Sequence, residues 1–109
     1  MKSIQAMLKS LYVDFEGLSC PVTHYRKTEH YPYMVWAEDG EDDSFHGDNH
    51  KQEQSIRGYI DYVTRQEFDD NVDEIQEILN GQPVAWNLDS VDYKDSTNLI
   101  HWRWSWVTR

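Results

Sequence analysis

Leu99-Ile100-His101-Trp102-Arg103-Trp104-Ser105-Trp106-Val107-Thr108 is the stretch on which the fold turns. Side chains of an extended strand alternate between two faces, so Ile100, Trp102, Trp104 and Trp106 share one side, opposite His101, Arg103 and Ser105. Three indoles on one face call for an apolar layer to cover them, and two segments have the spacing to supply it. Ile4, Met7, Leu8, Leu11, Tyr12 and Phe15 recur at steps of three and four, the stripe of an amphipathic helix. With Ser3 to cap it and Gly17 to end it, that helix is predicted over about residues 4 to 16. Phe68, Val72, Ile75 and Leu79 keep the same spacing, Asp70 or Asn71 can cap, and Gly81 with Pro83 forms a stop. Asp73 and Glu74 lie where the helix N-terminal dipole favours acids. The predicted core is therefore Ile4, Leu8, Leu11 and Phe15 from one helix, Val72, Ile75 and Leu79 from the other, and Ile60 with Trp102, Trp104 and Trp106 from strands.

Four further segments read as strands. Val22 to Lys27 alternates after the breaker Leu18-Ser19-Cys20-Pro21, and Tyr33 to Ala37 is apolar on both faces. Ser55 to Arg65 places Ile56, Gly58, Ile60 and Tyr62 opposite Arg57, Tyr59, Asp61 and Val63, a strand with one buried face. In the last, Trp86 and Leu88 are out of phase with Val91 and Tyr93, which a bulge near Asp89-Ser90 reconciles. Asp95-Ser96-Thr97-Asn98 supplies the turn into the final strand. The order α-β-β-β-α-β-β makes an α+β fold: one domain over residues 1–109, with a mostly antiparallel sheet of about five strands and both helices on one face.

Ten Lys and Arg against twenty Asp and Glu leave 109 residues with a formal net charge of −10. Apolar residues make up 39% and aromatics 14%, enough to fill a core despite that charge. Phosphate-dominated nucleic-acid binding needs clustered cations, and here they are outnumbered and scattered. The longest strictly apolar run, Tyr33 to Ala37, is five residues, far short of the ~20 that span a bilayer. Met1 to Phe15, broken by Lys9, lacks a signal peptide's apolar stretch. The lone Cys20 fits a reducing, intracellular compartment. Residues 38–53 carry seven carboxylates against one lysine, which predicts a long solvated loop or arm, the first place to look for a partner.

Each candidate for chemistry has a plainer reading. The three tryptophans could stack bases or sugars, but a nucleic-acid platform needs a basic surround that Arg103 and Arg109 hardly provide, so they are assigned to the core. His46, Asp48 and His50 have a spacing open to a divalent metal, yet the helical zinc motif's glutamate is missing and no further ligand pattern follows. Asp39, Glu41, Asp42 and Asp43 fail the calcium-loop template. Cys20 and His24 are four apart, a pairing as consistent with chance as with nucleophilic catalysis. No glycine-rich phosphate loop is present, and no cofactor or metal is expected.

The amphipathic first helix, Tyr31-Pro32-Tyr33-Met34-Val35-Trp36, the acidic arm, Tyr59-Ile60-Asp61-Tyr62, a short acidic helix and an aromatic final hairpin together resemble small tail-terminator or tail-completion proteins of long-tailed bacteriophages and prophages of Gram-positive hosts. Small head-tail connector and minor capsid proteins have similar size and texture. The resemblance implies a non-enzymatic ring, typically a hexamer, that caps the tail tube, stops its growth and meets the head connector. DNA passes through such a ring without sequence-specific binding, and the protein belongs to the host cytoplasm during assembly and then to the virion's tail or neck. The resemblance also places the arm residues Glu38, Asp39, Glu41, Asp42, Asp43, Phe45 and Asp48 at the lumen or a subunit contact. An acidic lumen lets phosphates slide, and the same charges can steer a basic partner. Two other classes compete: an acidic inhibitor or DNA mimic that occupies a basic cleft, and a small hydrolase, disfavoured for want of a nucleophile and base.

Overall fold

The computed structural model of the chain describes residues 3–28, 30–42 and 54–108. Helix α1 spans Ile4–Phe15, with Ser3 Oγ accepting from the Ala6 amide at 3.3 Å, and Glu16 closes it by donating its amide to Tyr12. Strand β1 is only Val22–His24, shorter than the predicted run to Lys27. Tyr25 ends it by turning to φ 77°, a conformation that cannot continue a strand. Strand β2, Tyr33–Glu41, instead runs further than its apolar segment. Glu38, Gly40 and Glu41 pair with Gly58, Arg57 and Ile56 of β3, Ile56–Thr64, across a bulge at Asp39 where Gly40 takes φ 154°. Residues 38 to 41, expected to belong to the loop, are therefore part of β2.

Helix α2 covers Asp70–Gly81, and its cap is Asp69, not Asp70 or Asn71. Tertiary hydrogen bonds decide this. Asp69 Oδ1 accepts from the Asn71 amide at 2.9 Å, while Oδ2 accepts from Tyr62 Oη at 2.5 Å and Thr64 Oγ1 at 2.8 Å. Phe68, expected on the buried stripe, is thereby left before the helix at φ 55° and 95% exposed. Strands β4, Val84–Lys94, and β5, Leu99–Thr108, form the final hairpin, with the expected bulge between Leu88 and Ser90 and with Asn98 at φ 57° in the turn.

The sheet order is β1-β2-β3-β5-β4. Only the β1–β2 pair is parallel; β3 and β4 both run antiparallel to the β5 between them, so α2 carries the chain over β5 to the far edge. The fold is α+β, with both helices packed on one face of the sheet. Under them lie Leu8, Leu11, Phe15, Ile60, Val72, Ile75, Leu79, Trp104 and Trp106, all buried, while Ile4 and Trp102 sit partly buried at the margin of that core. Each fully buried indole shapes its neighbours. Trp104 Nε1 donates to Gln76 Oε1 of α2 at 3.1 Å, and Trp106 lies over Gly58, where a Cβ would come within 2.3 Å of its ring and 2.2 Å of the Ala37 carbonyl oxygen. Ser19, Asn71 and Tyr62 extend the Asp69 bonds into a network that ties the loop after α1 to β3 and α2. Burial and the Asp69 bond push the Tyr62 phenol up from its ordinary range.

Candidate interaction site

The second face of the sheet carries no helix among the described residues, and the strand alternation fixes what it presents. β3 contributes Tyr59, Asp61 and Val63, and β5 pairs His101, Arg103 and Ser105 beside them. Asp61, 6% exposed, has one carboxylate oxygen 3.0 Å from His101 Nε2, and both oxygens accept from Arg103, at 3.1 and 3.2 Å. A carboxylate removed from water needs such partners. Arg103 in turn lies 4.5 Å from the Tyr59 ring centroid. Next to this cluster, Tyr33, Val35 and Val63 form a small apolar floor with Tyr31 and Leu99 packed against it.

A cavity of about 160 Å³ opens there, lined by that floor together with Asp61, His101, Lys27 and Lys94. Neither ammonium makes an ion pair with a described residue. Arg65 contacts the cavity-lining Tyr31, its guanidinium 4.9 Å from the ring centroid, and its Nε donates to the Thr97 carbonyl. Four of the chain's ten Lys and Arg, namely Lys27, Arg65, Lys94 and Arg103, thus gather at one end of this face.

A different surface continues the helix-covered face beyond α2. Across the hairpin, Leu88, Val91 and Tyr93 stand opposite Trp104, Trp102 and Ile100, yet they are 38%, 47% and 58% exposed. The Trp102 indole N–H is buried there without a hydrogen-bond partner among the described residues. At the other edge a groove of about 590 Å³ separates α1 from β1 and β2. His24 stacks between Trp36 and Tyr25, with centroids 4.1 and 4.0 Å away, and its Nε2 lies 2.7 Å from Glu38 Oε2.

Of the predicted arm residues, Glu38, Asp39 and Glu41 belong to β2, and Asp42 continues its pairing by donating its amide to the Ser55 carbonyl. Asp39 pairs with Arg57 at 3.4 Å. Asp43, Phe45 and Asp48 lie outside the described residues, as do His46 and His50. Cys20 is buried in the core, where desolvation first and Asp69 second push its thiol up to about 11, so it is a neutral packing group. His24 is held by Glu38 and the ring stack. No group of three or more His, Cys, Asp or Glu suited to a metal occurs among the described residues. No helix among them is long and apolar enough to cross a membrane.

The cavity escapes a linear reading because its parts come from four separated segments. One signal does exist: Asp61 falls opposite the core in β3, as do His101 and Arg103 in β5, so the three share a face once the strands are neighbours. Compared with protein-family models and with curated proteins, the chain matches none.

Proposed function

We propose that this protein is a structural, ring-forming tail-terminator or tail-completion protein, joining a phage tail tube to the head connector and stopping tube growth. The observation that carries the reading is the uncovered apolar end of the β4–β5 hairpin. A chain with net charge −10 has ample polar side chains to clothe its surface, yet Leu88, Val91 and Tyr93 remain open on an edge strand, and Phe68 is 95% exposed. Apolar side chains grouped in this way are ordinarily covered by a partner, and an edge strand invites another chain. The element order on which the resemblance is drawn, α-β-β-β-α-β-β, is the order of this fold. In this reading the assembly forms in the host cytoplasm and ends in the tail or neck of the virion.

Analytical ultracentrifugation across a salt series, with electron microscopy of tail tubes incubated with the protein, tests the reading. The expected result is closed oligomers or capped tube ends, reduced when Leu88, Val91 and Tyr93 are replaced together by Ser. A chain that stays monomeric at every salt and protein concentration, and leaves tubes uncapped, removes the reading. The alternative, an acidic inhibitor or DNA mimic, draws on residues 66–93, which hold eight carboxylates and no Lys or Arg. It predicts a monomer or dimer that binds a basic protein in a salt-sensitive manner.

A further inference from the structure

The helix-free face has a depression where the strand register brings small side chains together. Tyr33, Val63 and His101 are aligned across β2, β3 and β5, with Val35, Asp61 and Arg103 in the next row of that face. A valine in the middle of the first row and another at one end of the second leave a hole between bulkier neighbours, and Tyr31 and Leu99 pack beside it. Its volume, about 160 Å³, is close to the roughly 150 Å³ at which an apolar cavity takes up benzene. The floor of Tyr33, Val35 and Val63 is buried, so a planar apolar ring is the body that fills the hole at the least loss of hydration.

Charge selects the other half of the ligand. Asp61 is the acid of the lining, and His101 and Arg103 already hold its oxygens at 3.0 to 3.2 Å, so its charge is matched within the protein. Lys27, from the loop after β1, and Lys94, at the end of β4, reach the same cavity from opposite edges of the sheet. Both are exposed at its rim, and neither is ion-paired with a described residue. Two ammonium groups at the mouth of an apolar hole favour an anion whose charge stays at the mouth while its body goes in. A phosphate or sulfate has no body for the floor, and an amine meets the wrong charge. We propose that this cavity binds a small aromatic monocarboxylate of the benzoate class, its ring on Tyr33, Val35 and Val63 and its carboxylate between Lys27 and Lys94. A single subunit holds all of these residues, so the site is independent of ring formation.

Titration of sodium benzoate into the isotope-labelled full-length chain tests the site, with amide and methyl shifts as the readout. Saturable shifts centred on Tyr33, Val35, Val63, Leu99 and His101 are expected, with a Kd of about 1 mM or tighter for a ligand of this size. Benzyl alcohol, which keeps the ring, and acetate, which keeps the carboxylate, should each bind about tenfold more weakly or worse. Benzylamine should bind no better than the alcohol. Lys27→Gln with Lys94→Gln should weaken benzoate binding about tenfold. Both side chains are exposed, so this variant keeps the fold, which an unchanged amide pattern away from the cavity verifies. Shifts that do not saturate, or that map elsewhere, overturn the proposal. So does equal binding by acetate, which makes the floor irrelevant, or equal binding by benzyl alcohol or benzylamine, which makes the cations irrelevant. Benzoate affinity unaltered in the double lysine variant overturns it as well. Sedimentation without benzoate decides the ring reading, so either can fail without the other.

Discussion

Gly58 shows how one residue positions the strongest feature of the core. Trp106 lies flat against it, and an added methyl would sit 2.3 Å from the indole and 2.2 Å from the Ala37 carbonyl oxygen. Neither neighbour is the free end of a flexible chain, so the strand or the indole must shift. Gly58→Ala should destabilise the subunit by about 1–3 kcal/mol, the range for overpacking a tight site, read as a lowered denaturant midpoint with an unchanged slope. A neutral Gly58→Ala would show that the β3–Trp106 approach is looser than this packing implies. Cys20 makes a pH-dependent contribution of the opposite kind. Its thiol moves from an ordinary 9.0 to about 11 on folding, chiefly by burial. The folded state therefore holds the proton more tightly than the unfolded chain, and the stability this contributes is complete below pH 9 and is lost as pH rises towards 11. Cys20→Ala should flatten part of the alkaline fall in stability, and a fall of unchanged steepness in that variant would assign it to other groups.

At the scale of elements, α2 was legible where local physics decides and illegible where a distant bond does. Val72, Ile75 and Leu79 follow from spacing alone and are buried. The start of the helix does not, because Asp69 is recruited by Tyr62 and Thr64 of β3, and that choice expels Phe68 from the stripe. The same reasoning explains β2. Glu38 to Glu41 look like loop in sequence, but pairing with Ile56–Gly58, and the Asp39–Arg57 contact, hold them in the sheet. The parallel β1 and the cavity between four segments depend on register, which alternation in single strands cannot report. Phe68 offers a test of the helix start. Its φ of 55° strains a bulky residue that has almost no packing to lose, whereas Asn tolerates that conformation. Phe68→Asn should raise subunit stability by about 0.5–1 kcal/mol in thermal melts; a loss would mean that the phenyl ring makes contacts in the free subunit.

For the whole molecule the question is how chains of net charge −10 come together at all. Two effects oppose each other. Long-range repulsion between subunits acts over the Debye length, about 30 Å at 0.01 M salt and about 8 Å at 0.15 M. The apolar contact that the open hairpin residues Leu88, Val91 and Tyr93 would make acts at short range and is not screened. Charges outside the β4–β5 hairpin feed the repulsion. Glu67, Glu74 and Glu77 are such charges, exposed on α2 and the loop before it. Replacing them with Gln moves the net charge from −10 to −7 and leaves the side chains of the hairpin unchanged. Self-association of this variant should exceed that of the wild type at low salt and converge with it as salt rises, measured by sedimentation equilibrium. If the two curves coincide at low salt, repulsion does not limit assembly. The functional consequence follows from the same balance. A subunit held apart by its own charge assembles where something already gathers copies, and a completed tube end would do that, leaving free subunits available until a tail is ready to be closed.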